Sequence, residues 1–133
     1  MSDSLHGTPS TPRMQLSTKQ LGFLAKALGV VFLAAGVAKL AAPDQTAAVI
    51  ALRGLPQARL IGLTAGVTEV IGGSLLLLGF WRRAVAAALF VALIPVAWVF
   101  HNPFGAGPGG LQLQTLNLAF GAAVLVGLWL IAR

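Results

Sequence analysis

The stretch LIGLTAGVTEVIGGSLLLLGF, residues 60–80, combines a long apolar run with one acidic residue, Glu69, near its middle. About 20 mostly apolar residues in helical form suffice to cross a bilayer. A carboxylate at the centre of such a span is costly, by several kcal/mol on insertion scales. We therefore predict a membrane-spanning helix in which Glu69 faces other protein groups rather than lipid.

The composition of the whole chain is typical of a single membrane domain. Of its 133 residues, 57% are hydrophobic and 9% are charged, whereas soluble domains carry about 25% charged residues. The net charge of +6 comes from basic residues that stand singly or in pairs between apolar stretches. That pattern is typical of segments flanking spans and not of a nucleic-acid-binding surface. The chain has no cysteine, two histidines and three acidic residues, so disulfides and thiolate sites are excluded within it and we predict no metal site.

Three further stretches have the length and apolarity of spans, so we predict an all-α, integral-membrane four-helix bundle over residues 19–133. The four spans are about 21–41, 60–80, 84–101 and 112–132. Residues 1–18, rich in Ser, Thr and Pro, predict a disordered cytoplasmic tail. Residues 43–59 have apolar positions at helical spacing but are too short and polar to span, which predicts an interfacial or re-entrant helix between spans one and two.

The basic residues also predict an orientation, because four spans leave both termini on one side. That side carries Arg13, Lys19, Arg82, Arg83 and Arg133, and the other carries Lys39, Arg53 and Arg59. The positive-inside rule then places both termini in the cytoplasm, and we expect the multi-pass bundle in the inner (plasma) membrane. The long leader before span one, and Lys39 and Pro43 after it, argue against a cleaved signal peptide.

Small residues form one stripe on each of the first two spans. On span two the stripe follows steps of four, three and four residues: Gly62, Gly66, Glu69 and Gly73. On span one it consists of Ala25, Gly29, Phe32, Gly36 and Lys39. Small residues allow membrane helices to approach closely. We therefore predict that these glycines pack span two against another helix, with span one the favoured partner.

Both stripes carry an ionisable residue, Lys39 and Glu69, about 10 Å apart in depth at 1.5 Å per helical residue. Side chains lean toward the N-terminus of their own helix, so in antiparallel neighbours these two tip toward each other and should pair directly or through one water or hydroxyl. His101 at the outer end of span three and Asn117 in span four add polar groups in the same outer half. Three interpretations remain open: a ligand or proton site, a structural clamp, and residues that reach water separately.

A series of short motifs covers roughly residues 22–104: FLAAGVAKLAAP, RGLPQ, EVIGGSLLLLGFWRRAVAAAL and VFHNPF. In this order they resemble the DoxX family of small bacterial and archaeal membrane proteins. The resemblance implies a four-helix membrane bundle and places Lys39, Glu69 and His101 on recurring polar positions of the family. It also implies a quinone-linked or oxidative-stress-related membrane oxidoreductase system, with quinone as a candidate cofactor and membrane oxidoreductase subunits as candidate partners.

The sequence favours a non-catalytic component of such a system, because the chain has no cysteine, no flavin or haem motif and few metal ligands. One alternative is a small transporter or channel, which intramembrane ionisable residues favour. Four short spans enclose little volume, so a pore would require a homo-oligomer. The other alternative is a purely structural membrane protein in which the polar layer only fixes the helix register.

Overall fold

Helix α1, Thr18–Ala41, begins the described part of the chain. The computed structural model of the protein describes residues 16–100 and 111–133, with side chains in the last helix described from Ala119 onward. Helix α1 starts three residues before the predicted span because Ser17 and Gln20 form a capping box, with hydrogen bonds of 2.8 and 3.3 Å between side chain and main chain. Ser17 and Thr18 therefore belong to the helix start rather than to the predicted tail, whose residues 1–15 lie outside the described part.

Helix α2, Pro43–Ala51, follows α1 after a single residue and confirms the short helix expected between spans one and two. Pro43 stands in its first turn, where the missing N–H is not needed. The Thr46 hydroxyl donates to the carbonyl of Ala42 at 3.0 Å, which ties α2 to the end of α1. Ile50 is buried against the beginning of the next helix.

Helix α3 spans Ala58–Leu78, α4 spans Arg82–Phe100 and α5 spans Leu111–Ala132. Helix α3 ends two residues before the predicted span because Gly79 takes the left-handed conformation, with φ of 81°. Phe80 and Gly79 then donate to the carbonyls of Leu75 and Leu76, at 3.0 and 3.2 Å, in a Schellman motif. Helix α4 continues without interruption through Pro95.

The helices pack most extensively where α1 lies against α3, and α4 and α5 form a second packed pair. Helix α2 lies on the start of α3. The buried core lies toward the end of the bundle where α1 begins and α3 ends. Its members are Ala25, Leu28, Phe32, Leu76, Val85, Ala86, Leu89, Val124, Leu128 and Ile131.

Large apolar side chains also face outward over much of the bundle surface, as expected if lipid is the solvent. Phe23, Leu78 and Val91 are 76%, 69% and 64% exposed. Helices α1, α3 and α4 are each long and apolar enough to cross a membrane, and α5 has 22 residues without a charge. The protein is thus an all-α membrane bundle.

Candidate functional site

The Lys39–Glu69 pair lies beside the closest contact between α1 and α3. A Cβ atom on Gly36 would lie 2.7 Å from the carbonyl oxygen of Gly66, so the two backbones touch there. Lys39 and Glu69 each follow one of these glycines by three residues, which puts them one turn away on the same faces. The glycine contact therefore brings the two charged side chains within reach of each other.

The two side chains form a direct ion pair, with 2.7 Å between Nζ of Lys39 and Oε2 of Glu69. The Lys39 side chain is 32% exposed and the Glu69 side chain 14% exposed. The long side chains close the depth offset expected from the sequence without an intervening group. Each of these charges is costly near lipid, so their contact offsets part of the cost of placing both there.

Glu69 also lines a cavity of about 400 Å³ between α3 and α4, with Phe32 of α1 at its side. The lining residues are Phe32, Leu60, Ile61, Thr64, Ala65, Thr68, Glu69, Leu89, Ala92, Leu93 and Val96. Apart from Glu69, the polar side chains among them are Thr64 and Thr68. Glu69 thus joins the packed α1–α3 contact to an open, mainly apolar space on the α4 side.

The chemistry of this lining follows from its donors and acceptors. A carboxylate only accepts hydrogen bonds, and a threonine hydroxyl both donates and accepts. Lys39 contacts Oε2 of Glu69, so the other carboxylate oxygen has acceptor capacity left. The Lys39 ammonium is not part of the described lining. The cavity therefore suits an apolar ligand that carries a hydrogen-bond donor.

The other two residues of the predicted polar layer, His101 and Asn117, fall outside the described side chains. His101 lies outside the described residues. Asn117 belongs to α5, and its side chain lies outside the described part. Their membership of the polar layer stays a prediction. Within residues 16–100 and 119–133, no group of three His, Asp or Glu side chains is placed to hold a metal ion.

Of the five glycines predicted to pack the first two spans together, four lie between α1 and α3 and one does not. Gly29, Gly36, Gly66 and Gly73 all lie at the α1–α3 contact. Gly62 instead faces α2: a Cβ atom there would lie 2.9 Å from Cγ2 of Thr46. Span one was the wrong partner for Gly62, because α1 has already ended at the level where α2 folds back onto α3.

The cavity wall, including Thr64, was not predicted from the sequence. A signal for it exists on α3, where Ile61, Thr64, Ala65 and Thr68 recur at helical spacing and share one face. The matching wall from α4 carries no comparable pattern, since Leu89, Leu93 and Val96 look like any lipid-facing residues. The position of α4 decides that this face borders a cavity instead of lipid.

A DoxX family model matches residues 24–102, more than half of the chain. The chain belongs to the DoxX family. The match covers α1 to α4 and includes both Lys39 and Glu69. No curated protein and no solved structure shows significant similarity to this DoxX protein.

Proposed function

We propose that this DoxX protein is a non-catalytic membrane component of a quinone-linked oxidoreductase system, and that the cavity between α3 and α4 receives the ring of a quinol. The observation that carries the proposal is the double placement of Glu69, which is held by Lys39 at 2.7 Å and lines the cavity. An ionisable residue inside a membrane bundle is by default a candidate functional residue.

The size and polarity of the cavity support a small ring compound. Sites for small molecules measure about 300–1,000 Å³ and are mostly apolar, with a few polar groups that fix the orientation. This cavity has about 400 Å³ and three polar side chains, Thr64, Thr68 and Glu69. Leu60, Ile61 and Val96 form apolar walls on which a ring and the first part of an isoprenoid tail can pack.

The hydrogen-bonding character of Glu69 favours the reduced form of the ligand. A quinone offers only carbonyl acceptors, whereas a quinol offers hydroxyl donors. A carboxylate paired with Lys39 can accept from a hydroxyl but has nothing to donate to a carbonyl. The cavity lining therefore favours Glu69 as acceptor from a quinol hydroxyl.

The composition favours a role without redox chemistry in this subunit. The chain has no cysteine and few residues that bind metals, so the electron-transfer groups are assigned to partner subunits. Recovery of the tagged protein from its native membrane, followed by quinone extraction and identification of co-purifying proteins, tests this part. A protein that emerges without redox partners and without quinone contradicts the assignment.

Direct titration tests the cavity. The purified protein in nanodiscs is titrated, without oxygen, with a short-chain benzoquinol and separately with its benzoquinone. We expect tighter binding of the quinol and a loss of at least about tenfold in Glu69→Leu, since hydrogen bonds to charged groups contribute about 1.5–3 kcal/mol. Asp44→Asn is the matched control, because Asp44 is also ion-paired, with Arg59 at 2.5 Å, but lies outside the cavity. Equal losses in both variants, or no binding by the wild type, contradict the proposal.

We also propose that the protein lies in the inner membrane with both termini in the cytoplasm. Lys19, Arg82, Arg83 and Arg133 lie at the end of the bundle where α1 begins and α5 ends, as the positive-inside rule requires of a cytoplasmic side. A reporter inserted at Gly54, an exposed loop residue with open space around it, should lie outside the cytoplasm. A reporter fused after Arg133 should lie inside. Both reporters on one side contradict this topology.

A further inference from the structure

The described charges are distributed unequally between the two ends of the bundle. The end at which α1 begins and α3 meets α4 carries five basic residues: Lys19, Lys26, Arg82, Arg83 and Arg133. The other three described basic residues are Lys39, Arg53 and Arg59. Two of them form ion pairs with the described acidic residues, Lys39 with Glu69 and Arg59 with Asp44. Among the described residues, positive charge without Asp or Glu partners is therefore concentrated at the first end.

The turn from α3 to α4 holds two of these basic residues, Arg82 and Arg83, in defined positions. Gly79 and Trp81 have φ angles of 81° and 44°, which reverse the chain within three residues. The Arg82 guanidinium folds back over the end of α3: a Cβ atom on Gly79 would lie 3.0 Å from its Nη2. Nη2 of Arg83 donates to the main-chain oxygen of Arg133, which ties the turn to the end of α5. Arg82 thus lies against the end of α3 and Arg83 against the end of α5, and both line one cavity at the turn.

An open cavity of about 460 Å³ lies at this turn, lined by Gly79, Trp81, Arg82, Arg83 and Ala84. Trp81 is 79% exposed, a position suited to the headgroup level of a bilayer. Next to it on the turn, Leu78 and Phe80 are 69% and 58% exposed. An apolar wall for acyl chains therefore adjoins a basic cavity.

We propose that the α3–α4 turn binds the phosphate headgroup of an anionic phospholipid. Arg82 and Arg83 supply charge-assisted hydrogen bonds to the phosphate oxygens, and Leu78 and Phe80 contact the acyl chains. Basic pockets between membrane helices on the cytoplasmic side bind anionic headgroups in this way. The adjoining apolar wall distinguishes the lipid from a free phosphate ion, which would make no use of it. This site is separate from the Glu69 cavity and does not depend on the function proposed for it.

Native mass spectrometry of the purified protein, titrated with phosphatidylglycerol and with phosphatidylcholine, tests the proposal. We expect preference for phosphatidylglycerol and about fivefold weaker binding in Arg83→Gln, the size expected for one basic residue at a membrane surface. Arg83→Lys keeps the charge and should retain most of the binding, which separates charge from fold. Arg53→Gln is the matched control, because Arg53 is also an exposed arginine that donates to a main-chain oxygen, that of Val99, at the opposite end; it should bind as the wild type does.

Three outcomes would overturn this assignment. One is equal affinity of the wild type for the two lipids. Another is the same loss in Arg53→Gln as in Arg83→Gln, which would reduce the effect to net charge. The third is displacement of phosphatidylglycerol by millimolar inorganic phosphate, which would make a free anion the ligand.

Discussion

Helix α3 presents two different faces to its neighbours, and the difference lies in what each face meets. Toward α1, a Cβ atom on Gly73 would lie 2.6 Å from the backbone nitrogen of Leu33. Toward α4, a Cβ atom on the adjacent Gly72 would lie 2.7 Å from Cδ2 of Leu89. The first contact is backbone against backbone, whereas the second is against the end of a side chain that borders a cavity. The side of α3 that contacts α1, the packed face, is rigid. The side that faces α4, the open face, leaves room for a ligand.

The adjacent glycines provide the strongest test of this comparison. Gly73→Ala should lower the free energy of unfolding by about 3 kcal/mol, at the upper end of the roughly 1–3 kcal/mol typical of overpacking, because backbone cannot move aside. Gly72→Ala should cost about 1 kcal/mol or less, because Leu89 can change rotamer toward the cavity. Unfolding of both variants in the same detergent measures the difference. Equal losses would mean that the two faces are packed alike.

The ion pair at the boundary of the two faces gives the next largest effect. Lys39→Met and Glu69→Leu should each lower stability by about 1–3 kcal/mol, below the roughly 3–5 kcal/mol for fully buried pairs because Lys39 is partly exposed. The double variant should recover part of the loss, since it leaves no charge without a partner. Unfolding of the two single variants and the double variant gives the coupling energy. A value near zero would show that the two residues act independently.

The smallest expected loss of stability comes from removing the contact of Arg53 with the end of α4, the helix that borders the open face. The Arg53 guanidinium lies 5.5 Å from the centre of the Phe100 ring and donates to the carbonyl of Val99. Arg53→Gln should cost about 0.5–1 kcal/mol, the usual value of an exposed cation–π contact. Hydrogen exchange should increase in the last turns of α4 while α1 stays unchanged. An increase that spreads to α1 would show that the α1–α3 contact depends on α4.

The packed face could be predicted from the sequence because its signal is periodic. Glycines at steps of four and seven residues, with Lys39 and Glu69 continuing the same stripes, indicate both the contact and the pair. The Ser17–Gln20 capping box and the Gly79 C-cap could also be predicted from the sequence, although the predicted spans did not use them. The partner of Gly62 was not predictable in this way, because it depends on where α1 ends and α2 folds back.

The open face could not be predicted from the same patterns. Helix α4 carries apolar residues on all sides, so nothing in its sequence says which of them face α3 and which face lipid. A cavity is also a property of the volume that side chains leave unfilled between helices, which residue spacing does not encode. Thr64 and Thr68 gain their meaning only once α4 lies opposite them.

Quinol binding by the Lys39→Met/Glu69→Leu double variant tests most directly whether Glu69 serves both faces. Removal of both charges should restore much of the packing, so the variant should be folded and more stable than either single variant. The cavity should then have lost its charged acceptor, and we predict quinol binding at least about tenfold weaker than in the wild type. Wild-type affinity in a folded double variant would contradict the account and leave the pair as a structural clamp between α1 and α3.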